Sequence, residues 1–276
     1  MVNFALKEIK RRRIKSFRQF TQAEKEEIRK SVRGGLSLRK VSRELGVPYW
    51  IVYQIAHPYS KRQSRIDLSA LSESERGYIV GAFVGDGSKI FERKSGHYGV
   101  KFSLDSKSDE EIARYLRNLF VKAGKRVTLY TDETCLVLKI YSERLLRFLL
   151  SFVNYREVEG RKRKMFREFE NWVLDFKLGV ISGLIDTDGY VHHDKRGTQH
   201  FGLSITTMNP ILSEQLVTML ESLGTEPKVN RIKPGRTSYN KKPTYIVYLN
   251  KPEFLKICKE LISIKHMRFH PATKSF

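Results

Sequence analysis

Two stretches of this sequence bring an apolar helical pattern to an end on an aspartate followed by a glycine: GYIVGAFVGDGS (77–88) and GVISGLIDTDGY (179–190). A carboxylate there meets the negative end of the helix dipole, at a cost of about 0.3–1 kcal/mol. Asp86, and Asp186 with Asp188, are usefully placed only if something positive shares the position. Converging carboxylates and backbone carbonyls are hard oxygen donors, which select Mg²⁺ (or Mn²⁺) over softer metals. On a strongly basic chain, such an ion suits phosphodiester hydrolysis, in which it activates water and stabilises the attacking and leaving oxygens. A calcium-binding loop of EF-hand type is excluded, because the next ligand position after Asp186 and Asp188 is Tyr190.

The two stretches are halves of a repeat. Gly77 corresponds to Gly179, Gly81 to Gly183, Gly85 to Thr187 and Asp86 to Asp188, each pair 102 residues apart. After each comes the same order of patterns, so that each half reads αββαββα. In the first half, strand-like runs at 88–94 and 97–104 precede a helix at 107–124 and further strands at 125–131 and 134–141. In the second half the strands fall at 190–194 and 198–206, then 226–233 and 243–250, on either side of a helix at 209–224. Small residues four apart on one helix face cost helix stability, about 1 kcal/mol for each glycine. They make sense if the two helices pack backbone to backbone, which would bring Asp86 and Asp188 to one place.

Composition narrows the partner. The chain has 276 residues with 52 Lys/Arg against 30 Asp/Glu, a formal charge of +22, which favours a polyanion and nucleic acid first. Two distant cysteines exclude a disulfide framework and a zinc finger. No apolar run is long enough for a membrane span. MVNFALKEIKRRRIK lacks the apolar stretch of a signal peptide. A cytoplasmic, nucleoid-associated protein without membrane contact is therefore expected.

The basic excess is concentrated at the start, where residues 1–70 hold 17 Lys/Arg against 6 Asp/Glu. There, Thr21 and Glu24 form a capping box opening a helix over 21–35. Residues 36–58 follow as two short helices about a turn at Gly46, with Pro48 in the first turn of the second. This resembles a helix-turn-helix with Tyr49, Trp50, Tyr53 and Gln54 on or near the helix that reads the DNA major groove. The alternative is an ordinary helical hairpin with some of these aromatics, Trp50 especially, in its core. KRRRIK (10–15) is read either as a phosphate-contacting arm or as a disordered tail. The expected domains are 1–60 (basic arm and helix-turn-helix), a linker at 61–71, and repeats at 72–172 and 173–276.

IVGAFVGDG (79–87) and ISGLIDTDG (181–189) resemble the signature of the LAGLIDADG homing endonucleases, and the repeat order is also that family's layout. The resemblance spans roughly residues 72–276. It implies an α+β fold, a pseudo-two-fold tandem αββαββα repeat with two antiparallel saddle-shaped sheets, here preceded by the small all-α domain. Asp86 and Asp188 then correspond to the catalytic, metal-binding acids, with the carbonyls of Gly85 and Thr187 as metal or metal-water contacts. The family's sixth-position acid is kept as Asp186 and replaced by Val84 in the first half. A basic residue late in each repeat is implied near the scissile phosphates: Lys164 or Lys162 in the first, Lys265 in the second. The sheets would lie in the major groove, where base edges are distinguishable. Lys89, Arg93, Lys101 and Ser103 are the readers expected in the first half, and His192, Gln199, Arg231, Lys233 and Arg236 in the second.

The leading expectation is a monomeric, Mg²⁺-dependent, site-specific endonuclease cutting double-stranded DNA at a long asymmetric site. Two others stand beside it: a DNA-binding transcription regulator on a catalytically retired scaffold, and an RNA maturase that binds intron RNA.

Overall fold

The computed structural model describes residues 20–56, 66–92, 97–125, 127–158, 160–192, 202–234 and 243–269. By its internal contacts the chain divides into two units, Met1–Ser64 and Arg65–Phe276. Among the described residues, no helix is long and apolar enough to cross a membrane.

The described residues of the first unit form three short helices, α1 (Gln22–Arg33), α2 (Leu38–Leu45) and α3 (Tyr49–Ala56). Thr21 and Glu24 close the expected capping box, and Ser37 caps α2 through the Lys40 amide. Gly46 ends α2 at φ +64°, where a side chain would be strained, and the Ser42 hydroxyl donates to the Val47 carbonyl at 2.7 Å. Ile28, Val32, Val41, Leu45, Ile51, Val52 and Ile55 form a small closed core. Trp50 stays outside it, 50% exposed, as do Tyr49 and Gln54, whereas Tyr53 is half-buried and packs against it. The basic run at 10–15 lies outside the described residues.

The second unit begins with Ile66, Leu68 and Leu71, which are buried in its core although this segment reads as linker from its sequence. The rest follows the expected order twice. The first half comprises α4 (Glu73–Gly85), β1 (Gly87–Glu92), β2 (His97–Asp105), α5 (Glu110–Lys122), β3 (Thr128–Asp132), β4 (Cys135–Ile140) and α6 (Glu143–Phe152). A hairpin, β5 (Val153–Val158) and β6 (Arg161–Phe166), is added to it. The second half comprises α7 (Leu174–Asp188), β7 (Gly189–His192), β8 (Gly202–Thr207), α8 (Pro210–Glu221), β9 (Lys228–Ile232), β10 (Thr244–Leu249) and α9 (Lys251–Ile257), and closes with α10 (Ile264–Phe269). The sheets are both antiparallel, ordered β1-β2-β4-β3 and β7-β8-β10-β9. Each packs one face on the helices through alternate residues: Val100, Phe102 and Leu104 on β2, and Leu203 and Ile205 on β8.

At the centre α4 and α7 pack along each other. A Cβ on Gly77 would collide with the Phe176 carbonyl, one on Gly81 with the Val180 carbonyl, and one on Gly183 with that of Tyr78. The glycine stripes therefore serve the helix–helix seam and not each helix's own sheet, because only a residue without a side chain lets two backbones approach this closely.

Candidate active site

The seam carries both motif ends to one point. Gly85 faces Thr187, and a Cβ on Gly85 would lie 3.2 Å from Asp188 Oδ2. Asp86 is the C-cap of α4, its amide donating to the Ala82 carbonyl at 3.0 Å. Its own carbonyl accepts from the Ser103 amide on β2 at 3.3 Å, tying the helix end to the sheet. Asp188 is the last residue of α7, with its side chain open to solvent.

Two lysines close on these helix ends from different elements. Lys164 on β6 donates to the carbonyls of Phe83 (2.6 Å), Val84 (2.9 Å), Gly85 (3.2 Å) and Gly87 (2.6 Å). Lys265 on α10 reaches the carbonyls of Thr187 (3.4 Å) and Gly189 (3.2 Å). Each ammonium thus satisfies the carbonyls left over at a helix C-terminus and offsets the dipole that Asp86 or Asp188 opposes. Lys162 is on the same hairpin but exposed, so of the two candidates there Lys164 is the one at the helix end. The hairpin that delivers it was not legible as strand in EGRKRKMFREF, whose run of cations has no apolar alternation.

The electrostatics reflect crowding of like charge. Burial, the Asp188 carboxylate and then Asp109 push Asp86 up to about 6, against the pull of Lys164 and Lys265. Surrounding protein also raises Asp188, which both lysines oppose. Burial lowers Lys164 to about 8, although Asp188 and Asp86 favour its charged form.

Asp186 has a different place. It is fully buried and accepts four hydrogen bonds: from Tyr78 Oη (2.6 Å), Ser263 Oγ (2.7 Å) and the amides of Ile264 (2.8 Å) and Lys265 (2.8 Å). Burial raises this carboxyl, and all four donors work against that rise by favouring the ion. Tyr78 and Ser263 are the partners that sequence reading missed. A signal was present, because Tyr78 and Asp186 each correspond to a valine in the other repeat, Val180 and Val84.

The residues present fit a hard divalent cation. Asp86 and Asp188 supply two carboxylates whose mutual repulsion an ion would relieve. Among the described residues no group of three or more His, Cys, Asp or Glu could complete a site from side chains alone. The remaining positions would fall to water, phosphate oxygens or carbonyls, as Mg²⁺ accepts. The Gly85 and Thr187 carbonyls each immediately precede one of these aspartates in the chain, and each already receives a lysine ammonium.

The strand faces sort the expected readers. Directly paired residues share a face. Lys101 and Ser103 lie on the outer face of the first sheet, opposite Val100 and Phe102. Lys89 pairs with Val100 and therefore falls on the other face, contrary to expectation. The reason is that Gly87, opposite Phe102, starts the alternation on the core side. Lys89 Nζ instead stands 3.8 Å from the centre of the Tyr155 ring on the hairpin. In the second sheet His192 faces outward and contacts Ser204 Oγ at 2.8 Å. Arg231 pairs with Tyr245 on the face of Val247, again opposite to expectation, because β9 puts Lys228, Asn230 and Ile232 outward. Lys233 is exposed just beyond β9. Arg93, Gln199 and Arg236 lie outside the described residues. In the other unit Tyr49, Trp50 and Gln54 share the exposed face of α3, with Tyr53 half-buried beside them.

Residues 175–263 match the family model described as a LAGLIDADG-like domain. An uncharacterized protein of Methanocaldococcus jannaschii is 24% identical over 220 residues, covering 77% of this chain and 74% of that protein. The ATP-dependent DNA helicase Hel308 of Thermococcus kodakarensis is 23% identical over 198 residues, which cover 68% of this chain but only 16% of the helicase. Among solved structures, the homing endonuclease I-WcaI bound to its DNA recognition sequence superposes with a TM-score of 0.53 at 13% identity, covering 78% of this chain and 91% of that one. That likeness is one of fold.

Proposed function

We propose that the protein is a site-specific endonuclease of homing type, a reading that starts from the match of residues 175–263 to the LAGLIDADG-like domain. It hydrolyses both strands of a long, asymmetric DNA duplex with Mg²⁺ or Mn²⁺. The observation that carries the reading is the meeting of Asp86 and Asp188 at the seam with a lysine from each half beside them.

A bound divalent ion would activate water and stabilise the oxyanions at the scissile phosphates. Asp86 and Asp188 would hold it there as carboxylates. Lys164 and Lys265 keep the helix ends and their carbonyls in place and present positive charge toward developing phosphate charge. The outer faces of the two sheets contact bases in the major groove, Lys101, Ser103 and His192 among the contacts, and the exposed face of α3 adds a further groove contact through Tyr49, Trp50, Tyr53 and Gln54. Because the halves differ, one chain acts as a monomer on an asymmetric site.

The test is incubation of the purified chain with a DNA library of genomic complexity in Mg²⁺. The reading requires discrete double-strand cuts that chelation and Asp188→Asn abolish. Sequence-specific binding without any cut would move the chain to a DNA-binding regulator, and preference for a structured intron RNA would make it a maturase.

A further inference from the structure

The hydrogen-bonded registers of the two sheets allow their outer faces to be compared position by position. Gly87 pairs with Phe102 in the first and Gly189 with Ile205 in the second, so both sheets start from the motif end in the same way. The row nearest the aspartates then reads Ser88–Lys101–Lys139–Thr128 in the first half. The equivalent row in the second half reads Tyr190–Ser204–Tyr248–Lys228. At the two central strands a pair of lysines stands where the other half has serine and tyrosine.

Lys101 and Lys139 are directly opposite one another, an arrangement that is destabilising for like charges. Lys139 is steadied by Tyr130, whose ring centre lies 5.2 Å from its ammonium. Lysine only donates, so this pair needs a partner that only accepts. In the major groove the base that offers two acceptors and no donor is guanine, through N7 and O6, whereas adenine and cytosine each bring a donor and thymine has one acceptor beside a methyl group. The second half is built otherwise. Ser204 is engaged by His192, whose burial favours the neutral ring. The adjoining row carries Ile246 and Asn230, paired across β10 and β9. Asparagine matches the acceptor–donor edge of adenine, and an aliphatic side chain matches the thymine methyl.

We infer that the target duplex is chemically lopsided: guanine stands opposite Lys101 and Lys139 in the half-site of the first repeat, and that of the second has no guanine requirement at the mirror positions and A·T pairs opposite Ile246 and Asn230 in the adjoining row. The inference rests on the proposed reading of the sheets as a major-groove surface and specifies its substrate. A perfect palindrome of either half-site is then a poor ligand.

The experiment is selection of randomised duplexes by the full-length chain with divalent metal chelated, so that binding is read without cutting. The selected duplexes should show guanine on one side of the centre, no guanine preference at the mirror positions, and A·T at the positions adjoining these on the other side. Lys101→Ser with Lys139→Tyr should reduce that guanine preference roughly tenfold or more, the size of a lost base-specific contact, and leave the remaining positions unchanged. The reciprocal Ser204→Lys with Tyr248→Lys should import guanine into the other half-site. Equal guanine enrichment on both sides, or guanine retained by the double lysine variant, would overturn the inference while leaving the duplex-binding reading intact. Absence of any enriched duplex would overturn that reading and the inference with it.

Discussion

Tyr78 donates a 2.6 Å hydrogen bond to Asp186 across the seam between α4 and α7, and the same carboxylate caps the start of α10 through the amides of Ile264 and Lys265. One buried acid therefore ties the first motif helix to the segment that carries the second-half lysine. This relationship, and the others at the seam, have measurable consequences.

Tyr78→Phe removes one of four donors and leaves the packing in place, so it should destabilise the unit by about 1–2 kcal/mol. Asp186→Ala leaves Tyr78, Ser263 and two helix-start amides without their acceptor and should cost several kcal/mol more than the tyrosine change. Urea unfolding of both variants measures the difference. Equal effects would break the account of Asp186 as the hub.

Gly81→Ala should destabilise strongly although alanine is the better helix former by about 1 kcal/mol. The added methyl meets the Val180 carbonyl, and overpacking of this kind costs about 1–3 kcal/mol or more. Thermal unfolding of Gly81→Ala and Gly183→Ala should show a lowered Tm for both. An unchanged or raised Tm would show that the backbones can part.

Asp86→Asn should abolish DNA cleavage, retain DNA binding and stabilise the metal-free protein at neutral pH. The sign follows from the folded-state value of about 6 against the ordinary 3.8. Between those values the folded chain holds a proton that the unfolded chain has already lost, so the parent's stability falls as pH rises through this window. Asparagine has no such dependence. The advantage of the variant should be absent below pH 4 and reach about 1–2 kcal/mol above pH 7, after allowance for solvent screening. Urea unfolding in chelator at the two ends of this range would show it.

Trp50→Ala should leave the helical unit folded, since this exposed side chain makes little of the core and such surface changes stay within about 0.5 kcal/mol. It should weaken duplex binding. The chain has two tryptophans, and in a Trp172→Phe background the Trp50 fluorescence should be quenched on adding DNA. Emission unmoved by saturating duplex would exclude α3 from the contact.

The motif pair, its common spacing and the alternating strand patterns were legible because each is a local or periodic property. Glycine stripes betray a close backbone approach through their own cost, and aspartates at two helix ends betray a shared site through theirs. The same local logic identified Thr21 and Gly46 as punctuation of the N-terminal helices. It failed at Lys89 and Arg231, where a shift of one residue in pairing reverses the face. Register depends on which residues of neighbouring strands meet, and Gly87 opposite Phe102 is a fact of pairing between strands.

By itself, then, the sequence determined the repeat, the two helices with their acids, and the basic character of the partner surface, all of which follow from residue type and spacing. The tertiary structure alone decided that Asp186 is a buried hub for Tyr78, Ser263 and α10, that Lys164 arrives on a hairpin while Lys265 arrives on a helix, and that Lys101 faces Lys139. Each of these joins residues far apart in the chain or on separate strands, and such meetings come from packing a whole core, which no local propensity encodes.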